Sequence, residues 1–157
     1  MKLDRLDAKI LNVLQSDPRL SAAKVGDIVG LSQSAVSRRI QALVEAGVIE
    51  SYLVIVSPKK VGFPVRVSLL CSLYGEAADE QDRLLDALRN DPFVARLSRV
   101  TTGDADFAFT VIAQDLDSYD RHIASYQHSF SGLRIVRRDM LGDELKQGLS
   151  IPIEVAA

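Results

Sequence analysis

The sequence predicts an α+β protein, with an N-terminal (winged) helix-turn-helix followed by a C-terminal ferredoxin-like βαββαβ domain. Apolar residues recur at helical spacing in three successive stretches before Gly47. Strand-like and helical stretches then alternate as βα-β, turn, βα-β, which gives one antiparallel sheet with both helices on one face. The run Ser57–Pro64 holds two prolines, a glycine and two lysines between these parts. We therefore expect a first domain at 1–50, a linker strand and hinge at 51–64, and a second domain at 65–157.

Composition and charge narrow the class of protein. Hydrophobic residues make up 47% and charged residues 25% of the 157 positions, which is enough for packed cores. No apolar run approaches the ~18 residues that span a membrane, and the acid-containing N-terminus does not resemble a signal peptide. The single cysteine, Cys71, cannot form an internal disulfide, so we expect a cytoplasmic protein with a buried thiol.

The two halves differ in charge. Residues 1–60 hold nine Lys/Arg and six Asp/Glu, a net charge of +3, whereas residues 61–157 hold ten and fifteen, a net charge of −5. A mildly basic first half on an acidic second half is typical of a DNA-binding module joined to a domain with another task.

The first two helices are predicted from their caps and their apolar spacing. Asp4 caps a helix that runs to about Asp17, where Pro18 forces a turn, and its apolar positions are Leu6, Ile10, Val13 and Leu14. Ser21 caps a second, short helix whose inner face is expected to hold Ala22, Val25, Ile28 and Val29.

The third helix carries the most informative surface. Ser32 is its N-cap, Gly47 ends it, and the predicted inner stripe is Val36, Ile40, Leu43 and Val44. The opposite face holds amides, hydroxyls and a guanidinium near the N-terminal end: Gln33, Ser34, Ser37 and Arg38. These groups can donate to and accept from base edges, so this helix is predicted to bind duplex DNA. Arg38 suits a bidentate contact to guanine, and the neighbouring Arg39 suits a phosphate. A solvated amphipathic helix is the alternative interpretation.

The β-prone run Val48–Ile55 is predicted to form a small wing and then a connecting strand. Beyond the hinge, helices are expected at Asp79–Asn90 and from Leu116 to Phe130, closed by Gly132. Strands are expected at Val65–Ser72, Val94–Thr102, Phe107–Ala113, Leu133–Leu141 and Leu149–Val155. One sheet face would remain open, and a second copy of the chain would cover it.

Four blocks of the sequence together resemble the Lrp/AsnC (leucine-responsive regulator/asparagine-regulator) family of transcription factors, over roughly residues 3–155. The blocks are LDRLDAKILNVLQSDPRLS, GLSQSAVSRRIQALVEAGVI, VTTGDADF and the closing EL-K…LSIPI. The resemblance implies a homodimer, often assembled into tetramers or octamers, that binds double-stranded promoter DNA. It also implies modulation by a small molecule, commonly an amino acid. Arg137, Arg138 and Asp139 stand where many members have a Thr/Ser-rich strand, which leaves the effector preference open.

The GDxD turn of the third block is the candidate effector-binding loop, formed by Thr101, Thr102, Gly103, Asp104 and Asp106. Glycine lets a ligand approach the backbone closely, an aspartate can hold an α-ammonium group, and free amides can hold a carboxylate. A purely conformational Gly-Asp turn between strands is the alternative.

The leading interpretation is thus an effector-responsive, sequence-specific regulator, and the second is an architectural DNA-binding protein that needs no ligand. An enzyme using Asp104, Asp106, Asp115 and Asp117 is the third. No nucleophile–base pair, phosphate loop or cofactor fingerprint is visible, so we expect neither an enzyme nor a cofactor. His122 and His128 have no partners at ligand spacing, so we expect no metal site.

Overall fold

A computed structural model describes residues 2–74, 78–101, 103–145 and 150–154. By compactness the chain divides into two units, residues 1–54 together with 145–157, and residues 55–144. The domain boundaries expected from the sequence stay a prediction, and one segment groups differently, because 145–157 joins the first unit. Within the described ranges, no helix is long and apolar enough to cross a bilayer.

The first unit contains the expected helices. Helix α1 is Arg5–Ser16, α2 is Ala22–Val29 and α3 is Gln33–Glu45. Asp4 and Asp7 form a reciprocal capping box at the start of α1, in which each side chain accepts the other residue's backbone N–H. The predicted caps Ser21 and Ser32 accept from Lys24 N and Ala35 N, respectively.

The core of this unit is small and joins all three helices through Ile10, Leu14, Val25, Val29 and Val36. Two residues expected on the inner faces are exposed instead, since Ile28 keeps 60% and Val44 keeps 45% of its surface. Both lie at the margin of a narrow buried stripe, which in α2 is centred on Val25 and Val29 and in α3 on Val36 and Leu43.

The run after α3 differs from the prediction. Residues 48–57 contain no strand, so the connecting strand expected over Val48–Ile55 is not present. The side chains of Tyr52–Val56 are all exposed, and Val54 keeps 90% of its surface. An isolated extended segment is not a stable strand, because a strand needs a neighbour for its backbone hydrogen bonds. A short 3₁₀ turn, Pro58–Val61, follows.

The second unit has the predicted ferredoxin-like arrangement. Its elements in chain order are β1 Val65–Leu73, α4 Ala78–Asn90, β2 Val94–Arg99, β3 Phe107–Ala113, α5 Leu116–Ser129 and β4 Leu133–Met140. In the described residues, four strands form an antiparallel sheet in the order β2-β3-β1-β4. The fifth strand is not formed over 150–154, and its expected ends, Leu149 and Val155, lie outside the described residues.

The sheet has one covered and one open face. Alternate residues of β1 and β3 pack with α4 and α5 in a single core, which includes Val67, Leu69, Cys71, Phe107, Phe109 and Val111. The intervening side chains, among them Ser68, Leu70 and Thr110, are only half-buried. Cys71 is fully buried, as predicted, and burial raises its pKa to about 12, so the thiol is neutral at physiological pH.

Candidate functional site

The turn between α2 and α3 depends on two glycines. Gly30 ends α2 with a φ of 78°, a left-handed conformation that favours glycine. The carbonyl of Gly26 accepts hydrogen bonds from Gly30 N at 2.8 Å and Leu31 N at 3.0 Å. A Cβ at Gly26 would lie 2.4 Å from the carbonyl oxygen of Leu31, so only glycine allows this close approach. Sequence reasoning missed Gly26, although a glycine inside a helical run signals such a contact.

The predicted DNA-reading residues share one exposed face of α3. Gln33, Ser34, Ser37 and Arg38 are all exposed in the first half of the helix. Ser34 Oγ lies 3.2 Å from the hydroxyl of the N-cap Ser32. Among the described residues, no carboxylate lies within ion-pair distance of Arg38. The guanidinium of Arg38 is therefore available to an external acceptor.

Arg39 is placed differently from its neighbour. Its Nη1 lies 2.7 Å from Oδ1 of Asp7 and 2.8 Å from Oδ2 of Asp4, both at the start of α1. The pKa of Asp4 lies below its ordinary value, chiefly because its carboxylate accepts the backbone N–H of Asp7 and then because of Arg39. The phosphate contact expected for Arg39 stays a prediction, but the structure gives this side chain a role between α3 and α1 within the unit.

The candidate effector loop joins β2 to β3. Thr101 and Asp104 are exposed, and Gly103 has a φ of 93° with open space where a side chain would lie. Thr102 lies outside the described residues. In the part of the chain that the structure describes, the Asp104 carboxylate makes no ion pair.

Asp106 is the exception in this loop, because its groups are already used within the fold. Its Oδ2 accepts the backbone N–H of Leu73 at 2.8 Å, and its own N–H donates to Cys71 O at 2.8 Å. Its carbonyl accepts from Val100 N at 2.9 Å. Asp106 therefore ties the start of β3 to the end of β1 and holds the loop in place. Its predicted contact with an effector stays a prediction, with this competing structural role.

Known proteins with similar sequences or structures identify the chain. Residues 3–50 match the winged helix-turn-helix DNA-binding family. The HTH-type transcriptional regulator y4tD of Sinorhizobium fredii is 37% identical over 155 residues, which cover 99% of this chain and 91% of that protein. An AsnC family transcriptional regulator from Agrobacterium tumefaciens is 28% identical, with a TM-score of 0.82 over 96% of this chain and 97% of that chain. The chain belongs to the Lrp/AsnC family.

A third relative is transcriptional regulator NMB0573 from Neisseria meningitidis, whose structure is a complex with L-Met. It is 26% identical, and the match covers 96% of this chain and 97% of that chain with a TM-score of 0.86. As a member of the Lrp/AsnC family, the protein is a transcriptional regulator with a helix-turn-helix DNA-binding domain and not an enzyme.

This Lrp/AsnC regulator also contains a polar cluster that sequence reasoning did not find. Oδ2 of Asp91, just after α4, lies 2.7 Å from the hydroxyl of Tyr126 and 2.8 Å from Nε2 of His122, both on α5. Burial, and then the hydrogen bond to Asp91, raise the pKa of Tyr126. In the described residues, no three His, Cys, Asp or Glu side chains could together hold a metal ion. The two contacts of Asp91 hold the residue that follows α4 against α5 within the second unit.

Proposed function

We propose that this protein is a sequence-specific regulator whose DNA affinity responds to an amino acid bound at the loop containing Gly103 and Asp104. The exposed Asp104 carboxylate carries this proposal, because it lies beside a glycine that leaves room for a ligand. A carboxylate suits an α-ammonium group, and exposed backbone amides suit an α-carboxylate. The L-Met complex of the Neisseria relative supports an amino acid as the class of ligand.

Sequence specificity is assigned to the exposed face of α3. Arg38 is exposed and has no carboxylate partner among the described residues, and a bidentate contact from arginine to guanine O6 and N7 is the commonest specific contact in the major groove. Gln33, Ser34 and Ser37 add donors and acceptors on the same face. An architectural DNA-binding protein would bind promoter and random DNA with similar affinity, so their ratio separates the two functions.

A two-fold homodimer, built further into tetramers or octamers, is the proposed assembly. Two features of the single chain support it. The open face of the sheet holds half-buried side chains such as Leu70, and the exposed apolar run Tyr52–Val56 has no strand beside it among the described residues. A symmetric partner offers the same surfaces in return, and this is the commonest arrangement of soluble oligomers. A ligand at a loop shared between copies would couple effector binding to assembly.

The test is a titration of the protein with each common amino acid. Two quantities are measured at each concentration, the unfolding temperature and the affinity for DNA. We expect at least one amino acid to stabilise the protein, because a ligand that binds only the folded state raises its stability. Asp104→Asn should weaken that response. Asp117→Asn is the matched control, since Asp117 is also exposed but lies in the first turn of α5. An equal response in both variants would show that the ligand does not use Asp104.

A further inference from the structure

The segment Ser150–Glu154, which we call the clasp segment, belongs with the helix-turn-helix in the first compact unit. The second unit ends earlier in the chain, at Glu144. The chain therefore passes between the two units twice, after Val54 and again after Glu144. A unit attached by two chain segments has less orientational freedom than a unit attached by one. This holds only while both segments are fixed to the units at their ends.

The side chain of Gln15 on α1 forms hydrogen bonds with the main chain of the clasp segment. The Gln15 Oε1 accepts the backbone N–H of Ile151 at 2.8 Å, and its Nε2 donates to the carbonyl of the same residue at 3.1 Å. A backbone N–H can only donate and a carbonyl can only accept, so the two contacts fix the orientation of the amide. One side chain thus pairs with both polar groups of one residue, as a neighbouring strand would.

A second amide extends the same contact. Asn12, one turn before Gln15 on α1, donates from Nδ2 to the carbonyl of Ile153 at 3.2 Å. All three hydrogen bonds are exposed, and Ile151 itself keeps 63% of its surface. Water competes with exposed hydrogen bonds, so the clasp is weak enough to open without unfolding the helices.

The chain is also fixed where it leaves the second unit. The N–H of Leu141 donates to Arg66 O at 2.9 Å, and Nη2 of Arg66 donates to Gly142 O at 2.8 Å. The guanidinium of Arg66 also pairs with Glu144. The second connection therefore starts from residues anchored to β1 and ends at residues held by α1, so its effect depends on the clasp being closed.

We propose that Gln15 and Asn12 form a releasable clasp for residues 150–154, and that the closed clasp raises affinity for DNA with two half-sites. This inference rests on the two-fold assembly proposed above. When one helix-turn-helix of a dimer is bound, the second binds with an effective concentration set by how its tether limits its position. A doubly connected unit samples fewer orientations, so less entropy is lost when it docks on the second half-site. Binding to a single half-site does not depend on the tether.

The experiment uses the full chain with Gln15→Leu, which removes both polar contacts and keeps a side chain of similar size. Ser16→Ala is the matched control, because Ser16 lies on the same helix and its hydroxyl donates to the carbonyl of Asn12, with no hydrogen bond to residues 150–154. Hydrogen exchange at the Ile151 amide reports on the clasp directly. Affinity is measured by titration on DNA with one half-site and on DNA with two.

For Gln15→Leu we expect faster exchange at Ile151, unchanged affinity for one half-site, and a loss of roughly 5-fold or more on two half-sites. Unchanged exchange would show that the clasp is not closed in solution and would overturn the proposal. Faster exchange with unchanged two-site affinity would overturn it as well, and so would equal losses on both DNAs, which indicate damage to the helix-turn-helix. If the unaltered protein binds one half-site as tightly as two, the two-fold assembly fails, and this use of the clasp fails with it.

Discussion

Nη1 of Arg39 lies 2.7 Å from Oδ1 of Asp7, so the helix predicted to read DNA is fixed by an ion pair to the first helix of the chain. Asp7 is almost buried, and its other oxygen accepts the backbone N–H of Asp4. The neighbouring Arg38 has no such partner among the described residues. The two adjacent arginines thus have different surroundings, because successive residues of a helix are rotated by about 100° around its axis.

Arg39→Ala should therefore lower the stability of the helix-turn-helix. It removes the cation beside a nearly buried carboxylate, and a buried charged group without its partner costs about 1–3 kcal/mol. Arg38→Ala is the control, since it truncates the same type of side chain at an exposed position and should change stability by less than ~0.5 kcal/mol. Chemical denaturation followed by circular dichroism measures both. Equal losses would contradict the separate role of Arg39.

For DNA specificity, by contrast, Arg38 should matter more than Arg39. If Arg38 makes a bidentate contact to guanine, Arg38→Ala should cost about 1–3 kcal/mol on the operator and relax preference at one base position. Its affinity for random DNA should fall less. Titration at fixed salt on operator DNA, on operators with single base changes and on random DNA provides the comparison. A uniform loss on all these DNAs would assign Arg38 to phosphate instead.

The starts of the first three helices could be predicted from the sequence, whereas one expected strand could not. Asp4, Ser21 and Ser32 start helices as predicted, because capping is decided by the side chain and the next three backbone amides. The strand expected over Val48–Ile55 is absent from the single chain, because strand formation needs a partner that local sequence does not specify.

The candidate sites show the same limit. The exposure of Gln33, Ser34, Ser37 and Arg38 follows from helical periodicity alone. The partners of Arg39, by contrast, are Asp4 and Asp7, which lie more than thirty positions away in the chain. No local sequence pattern predicts these contacts. The GDxD pattern places Asp106 with its loop, but the hydrogen bond of Asp106 to Leu73 spans 33 positions of the chain. Long-range contacts of this kind form only when the helices or the sheet have been assembled.

Gly26→Ala should disrupt the turn that leads into α3. The new Cβ would lie 2.4 Å from the carbonyl oxygen of Leu31, and a backbone group cannot move aside as a flexible side chain can. Strain of this kind typically costs about 1–3 kcal/mol. Gly142→Ala is the control, since nothing lies within 4 Å of a Cβ at that position. We expect a lower unfolding temperature and weaker DNA binding for Gly26→Ala only. A Gly26→Ala protein with unchanged stability would show that the turn relaxes freely.

Acid should weaken the contacts at the start of α1. The folded-state pKa of Asp4 lies below its ordinary value of 3.8, chiefly because the backbone N–H of Asp7 donates to its carboxylate and then because of Arg39. A lowered folded-state pKa means that the stabilisation is present above the unfolded-state pKa and is lost as pH falls through the folded-state value. Asp4→Asn keeps a capping side chain without the charge, so its stability deficit should shrink in that acid range. A deficit that is constant from neutral pH into acid would contradict a role for the charge.

Gly103→Val should abolish the response to an amino-acid effector while DNA binding without effector is kept. A valine side chain would fill space that a ligand needs, and it would also strain the backbone. Gly103 has a φ of 93°, which a β-branched residue adopts only with strain, and nothing lies within 4 Å of its Cβ position. The loop should therefore change its path and move Asp104 away from its present position.

Stability and DNA binding without effector should change little in Gly103→Val. Gly103 belongs neither to the core of the second unit nor to α3, so the unfolding temperature and basal DNA affinity should stay close to those of the unaltered protein. Gly62→Val serves as the control for strain alone, because Gly62 also has a positive φ, of 94°, and open space around it. If Gly103→Val responds to the effector as the unaltered protein does, the loop is only a turn. The open groove of about 950 Å³ along β4, which Arg134, Arg137 and Arg138 help to line, is then the next place to search for the ligand.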